Sequence, residues 1–111
     1  MQYISLPLIM GIKHNINTDF FRKWTETMAY VLGFIYADGS IYPSARGKYL
    51  VILSTDKSII FKIKSWLNSG HTVRIEDPIS VNRKTRYVLR IGNKYLYDSL
   101  VNLGLYPNKS L

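Results

Sequence analysis

Asp38 closes an apolar run, Val31 to Asp38, and is followed at once by Gly39. If that run is a helix, the carboxylate lies in its last turn, where the negative end of the helix dipole favours a cation over an anion. A helix that places an acid there has reason to hold a positive ion. Asp38 is therefore the first candidate for chemistry, and the chemistry is binding of a hard cation. No cysteine is present, so neither a disulfide framework nor a thiolate zinc site is available.

The chain carries 15 Lys and Arg against 7 acids, a net charge of +8. Basic residues are spread along the sequence rather than gathered in a tail, and a folded basic surface suits nucleic acid better than an anionic membrane. The richest stretch runs from Arg83 to Arg90, with Arg83, Lys84, Arg86 and Arg90 and no acid. Hydrophobic residues make up 47% and aromatic ones 14%, enough for a packed core. At 111 residues the expectation is one domain over residues 18–111. Residues 1–17 have no clear pattern and are taken as an extension of undefined role. Apolar runs fall short of the ~20 residues needed to cross a bilayer, and the first residues lack a signal-peptide pattern. The chain reads as soluble and intracellular, cytoplasmic and organellar settings being left open.

The elements that must position these residues follow in the order helix, two strands, helix, two strands, helix. Thr25 is expected to cap the first helix with Glu26 in its first turn. The helix runs to about Asp38, with Gly39 as the C-terminal glycine. Its apolar side holds Met28, Val31, Leu32 and Ile35, while Gly33 and Ala37, four residues apart, put small side chains on one stripe. A turn from Pro43 to Lys48 joins two strands, the second being the apolar run Tyr49 to Leu53, whose facing is ambiguous. Ser54 or Thr55 is expected to cap the second helix, whose Ile59, Ile60, Ile63, Trp66 and Leu67 form an amphipathic face, and Gly70 to end it.

In the second hairpin Val73 and Ile75 alternate with Thr72, Arg74 and Glu76, and Tyr87, Leu89 and Ile91 with Arg86, Val88 and Arg90. One face is core and the other carries long polar arms across a loop from Pro78 to Lys84. Arg74 and Arg86 suit bidentate contacts to guanine in a major groove. Arg83 and Lys84 suit phosphates, which position without specifying. The third helix starts near Asn93, packs Leu96, Tyr97, Leu100 and Leu103, and ends at Gly104. His14 and His71 are read as structural or solvated.

The stretch Val31 to Gly39 resembles the signature of the LAGLIDADG homing endonuclease family, with Gly33, Ile35, Ala37, Asp38 and Gly39 matching. Leu32 stands where the family has a small residue, and Tyr36 where it has its first acid. The segment Leu103 to Ser110 is similar to the one that follows the family's second hairpin. The resemblance covers about Asp19 to Ser110.

It implies an α+β domain of αββαββα order, with a four-stranded antiparallel sheet that binds DNA. It implies a site-specific double-strand DNA endonuclease that hydrolyses phosphodiesters with Mg²⁺, a position Mn²⁺ or Ca²⁺ can also occupy, in the service of intron or intein mobility. Asp38 and Gly39 would hold the metal, Asp38 and Lys109 would be catalytic, and Asp56 would either order water near the cleft or cap its own helix. Leu32, Gly33, Tyr36 and Ala37 would form a dimer interface. The DNA-facing set is Tyr42, Ser44, Arg46, Lys48, Arg74, Glu76, Arg83, Lys84, Arg86, Val88 and Arg90. The functional unit would hold two copies of the domain, as a homodimer on a nearly palindromic site or as half of a two-motif protein truncated after Leu111. The alternative is a non-cleaving DNA- or RNA-binding protein of the same fold, a maturase or a regulator.

Overall fold

A computed structural model describes residues 15–78 and 84–107. A short 3-10 turn, Phe20–Arg22, precedes helix α1, Glu26–Asp38. Strands β1, Gly39–Ser44, and β2, Gly47–Ser54, form the first hairpin, and helix α2 spans Lys57–Trp66. Strands β3, Arg74–Glu76, and β4, Arg86–Gly92, form the second hairpin before helix α3, Lys94–Asn102. The sheet has the order β1-β2-β4-β3, every pairing antiparallel. This is the α+β class with the expected element order.

Amphipathic patterning drives all three helices onto one face of that sheet. Met28, Val31 and Ile35 of α1, Ile60 and Ile63 of α2 and Leu96 and Leu100 of α3 are fully buried with Ile41, Leu50, Ile52, Leu89 and Ile91. Each such side chain contributes about 1.5–3 kcal/mol relative to staying exposed. Period two along the strands leaves the other face of the sheet uncovered by the described helices.

Local signals set most boundaries. Thr25 accepts a hydrogen bond from the Met28 amide at 3.0 Å and starts α1, and Asn93 accepts from the Leu96 amide at 3.0 Å and starts α3. Other expectations need correction. The first turn is tighter than Pro43 to Lys48: Ala45 and Arg46 alone make it, and Pro43, Ser44, Gly47 and Lys48 are paired in strands. Neither Ser54 nor Thr55 caps α2. Asp56 does, accepting from the Ser58 amide and hydroxyl at 2.9 Å each, while the Ser54 hydroxyl accepts from the Asp56 amide. A carboxylate suits that end of a helix dipole better than a hydroxyl.

Asn68, at φ 55, turns the chain after α2 in place of Gly70, whose amide instead donates to the Asn15 carbonyl at 2.8 Å. Gly39 is extended rather than left-handed, because it starts β1 directly. It is needed for closeness: a Cβ there would lie 3.0 Å from the Ile35 backbone. Strand β3 is shorter than the alternating run, and Ile75, expected in the core, is 56% exposed at the sheet's edge. Beyond α3 the chain returns to the opposite edge, where Pro107 forms a parallel bridge with Ile41 of β1.

Candidate nucleic-acid interface

The strand registers fix what the uncovered face of the sheet presents. Ser40, Val51 and Arg90 form one row across β1, β2 and β4, and Tyr42, Tyr49 and Gly92 the next. On the other side of the Arg90 row lie Leu53, Val88 and Arg74, then Arg86 opposite Glu76. This settles the facing of the apolar strand: Leu50 and Ile52 are core, and Tyr49, Val51 and Leu53 belong to the open face.

Arg90 is the centre of the first cluster. Its Nε donates to the Tyr42 hydroxyl at 2.7 Å, and its guanidinium carbon lies 3.9 Å from the Tyr49 ring centroid. The two tyrosine rings stack with centroids 5.2 Å apart. Gly92 makes room for this, since a Cβ there would meet the Tyr49 ring at 2.8 Å. The Tyr42 hydroxyl, accepting from Nε, raises the arginine's pKa above its already high ordinary value.

The second cluster is ionic. Glu76 accepts from Arg74 through Nε at 3.1 Å and a terminal nitrogen at 2.6 Å, and from Arg86 at 2.6 Å. Hydrogen bonds from Arg74 and then Arg86 hold the Glu76 carboxyl below the ordinary value for a glutamate. Two cations thus share one anion, which leaves the cluster net positive.

Asp38 ends α1 exposed to solvent, and no basic residue shares its helical turn. It lies two residues before Ser40, in the strand at the edge of the sheet. Among the described residues no group of three His, Cys, Asp or Glu side chains could hold a metal ion. A hard divalent ion takes about six or more oxygen ligands, and the exposed Asp38 side chain leaves room for carboxylate, backbone carbonyl, phosphate or water oxygens beside it.

The expected interface residues on α1 divide. Gly33 and Ala37 are exposed, and a Cβ added at Gly33 would meet nothing within 4 Å, so this stripe does not pack on the chain's own sheet. Tyr36 is 42% exposed. Leu32 is 8% exposed and lies in the core, so its expected place at the interface is corrected: its side chain packs inward with the apolar side of α1.

Two of the expected DNA-facing residues are also placed elsewhere. Lys48 has the parity of Leu50 and Ile52 and turns to the helices, 3.8 Å from the Asp98 carboxylate and 5.2 Å from the Tyr97 ring centroid. Val88 has the right parity but is 4% exposed and so offers no surface to DNA. Tyr42, Ser44, Arg74, Glu76, Arg86 and Arg90 share the open face, with Arg46 at the hairpin tip and Lys84 exposed before β4. Arg83, Lys109 and His14 lie outside the described residues. Asp56 caps α2, and Ser58 bonds lower its carboxyl's pKa. His71 is buried against Ser69, whose hydroxyl is 2.7 Å from Nδ1.

Sequence reading missed Tyr49 as the floor beneath Arg90. A two-residue turn, had it been recognised, would have set Tyr42 opposite Tyr49 and given the signal. It also missed Lys94, which joins Arg46 and Lys48 around a recess of about 430 Å³ between the hairpin tip and the start of α3.

No family model matches the sequence, and no solved structure matches it. Among curated proteins, the Uncharacterized protein MJ0314 of Methanocaldococcus jannaschii is similar, 32% identical over 89 residues that make up 76% of this chain and 34% of that protein. The chain thus spans about a third of the length of the curated relative it matches. No described helix is long and apolar enough to cross a membrane.

Proposed function

We propose that this domain is one half of a metal-dependent, site-specific DNA endonuclease of the LAGLIDADG type. The observation that carries the reading is the direct passage from Asp38 into the sheet. An exposed acid at the end of α1 is followed without a loop by the edge strand of a sheet whose open face carries Arg90, Arg86 and Arg74. A phosphodiester laid along that face is brought to the acid.

The charge is right for a polyanion, and the arginine arms can contact phosphates and base edges. Asp38, with the Gly39 backbone, is the group that would hold Mg²⁺, with Mn²⁺ or Ca²⁺ as alternatives. When bound, such an ion supplies a polarised phosphate and an activated water. This chain's own contribution is to fix the carboxylate on a rigid helix end and to hold the duplex across β1, β2 and β4. A basic side chain near the leaving oxygen would stabilise charge as it develops, and Lys109 is the residue the family resemblance suggests for that task.

One carboxylate per domain is too few, and the open Gly33–Ala37 stripe supplies the means of pairing. Two copies packed through α1 would bring two Asp38 side chains together about a two-fold axis, each sheet forming half of a saddle on DNA. The second copy is another molecule of this chain or a second domain of a longer polypeptide.

The test is cleavage of a randomised duplex pool in Mg²⁺ by the wild type and by Asp38→Asn. The expected result is double-strand cutting at an enriched site by the wild type alone, with both proteins binding equally well. Equal binding with no cutting by either would overturn the nuclease and leave the non-cleaving DNA-binding protein.

A further inference from the structure

The open face holds three arginines in two different states. Arg74 has both Nε and a terminal nitrogen on Glu76, so the edge of its guanidinium that fits a planar acceptor pair is already taken by a carboxylate. Arg86 gives a terminal nitrogen to the same carboxylate. To read a base, either must first leave an ionic partner.

Arg90 is held differently. Its principal partner is the neutral Tyr42 hydroxyl, reached through Nε, its plane is supported by the Tyr49 ring, and the Tyr49 hydroxyl interacts with it more weakly. Nε is the one guanidinium donor that end-on bidentate recognition does not need, and the residue is exposed, with no carboxylate bonded to it. The long side chain is fixed in advance, so little of its rotamer freedom remains to be lost on binding. It stands in the row of Ser40 and Val51, on the strand next to the middle of the sheet.

We propose that Arg90 reads a guanine through O6 and N7 in the major groove of duplex DNA, with Tyr42 and Tyr49 as the positioning pair that aims it. This rests on the DNA-binding reading above, and it moves the base-reading role from Arg74 and Arg86 to a residue with no carboxylate to give up. Arg74 and Arg86 then serve phosphates, a task that tolerates a shared counter-ion. Each copy of the domain reads one such guanine, so a two-fold pair requires it at symmetry-related positions of the target.

The experiment is selection of bound duplexes from a randomised pool by the full chain, followed by sequencing and by titration of the selected duplex at several salt concentrations. Wild type, Arg90→Lys, Arg90→Ala and Tyr42→Phe are compared. The wild type is expected to require guanine at one position per half-site. Arg90→Ala should reduce the preference there about tenfold or more while sparing other positions. Arg90→Lys keeps the charge but not the planar fork, and should relax the same position. Tyr42→Phe, which keeps Arg90, should weaken the preference for guanine more than it weakens overall affinity.

If Arg90→Ala weakens all sequences equally and lowers the salt slope by about one, Arg90 is a phosphate contact and the proposal falls. It falls equally if the wild type selects a site in which no guanine preference depends on Arg90. If the wild type enriches no duplex at all, the DNA-binding reading fails and this one with it. Circular dichroism on each variant separates these results from misfolding, and Arg90→Lys and Tyr42→Phe alter only exposed or half-buried groups.

Discussion

The Tyr36 hydroxyl donates to the Leu103 carbonyl at 2.7 Å, tying the last turn of α1 to the end of α3 across 67 residues of sequence. The next residue, Gly104, has φ +102, and a Cβ there would lie 2.9 Å from that hydroxyl. Tyr36 thus helps to fix the segment that returns beside β1. The end of α1, the turn after α3 and the edge strand are thereby linked, through Tyr36–Leu103 and Ile41–Pro107.

Tyr36→Phe removes the hydroxyl that bonds Leu103 and should cost about 0.5–1 kcal/mol for that hydrogen bond. Urea unfolding at equilibrium would show a lower midpoint with an unchanged slope. A larger fall in slope would mean that the bond holds more than one turn.

Gly104→Ala should cost more, about 1–2 kcal/mol, because an L side chain is disfavoured at that φ and the methyl presses on the Tyr36 hydroxyl. The two effects are coupled. In a Tyr36→Phe background the steric part eases, so a double-mutant cycle should show the pair costing less than the sum.

Gly33→Ala should raise the stability of the isolated domain by about 0.5–1 kcal/mol, since its Cβ meets nothing and glycine is a poor helix former. Gly33→Leu should leave thermal unfolding near that of the wild type and prevent pairing. Light scattering with and without target DNA would show a pair for the wild type and a single chain for the leucine variant. A paired Gly33→Leu would exclude this stripe as the contact.

The acid limb of the stability curve should carry the signature of Glu76. Its carboxyl is lowered in the folded protein by Arg74 and Arg86, so the contribution is complete above the ordinary glutamate value and is lost as pH falls through the lower folded value. Asp56 acts with the same sign at α2. Glu76→Gln should flatten the decline of the urea midpoint between about pH 5 and pH 3. The same variant frees both arginines and should steepen the salt dependence of DNA binding at neutral pH.

Much of this architecture was legible where hydrophobic period and capping chemistry agree. Thr25, the buried side of α1 and the Asn93 start of α3 follow from those signals alone. Where the period is silent, the sequence is too: Tyr49 to Leu53 is apolar throughout, and only pairing with β1 decides that Tyr49 lies under Arg90. Lys48 shows the opposite failure. A lysine in a basic hairpin looks ready for phosphate, yet strand parity sends it to Asp98 and Tyr97. The Arg74–Glu76–Arg86 cluster was half visible, because the i, i+2 spacing of Arg74 and Glu76 fixes a shared face, but Arg86 joins them only through the register of β3 and β4.

The bridge between Pro107 and Ile41 has a bearing on strand-by-strand aggregation. A bare outer strand invites a foreign strand to add on and then another, without limit. Here Pro43 offers no amide within the strand, and the returning chain lies against its middle. Growth by strand addition is obstructed along β1, so this edge does not seed open-ended fibres.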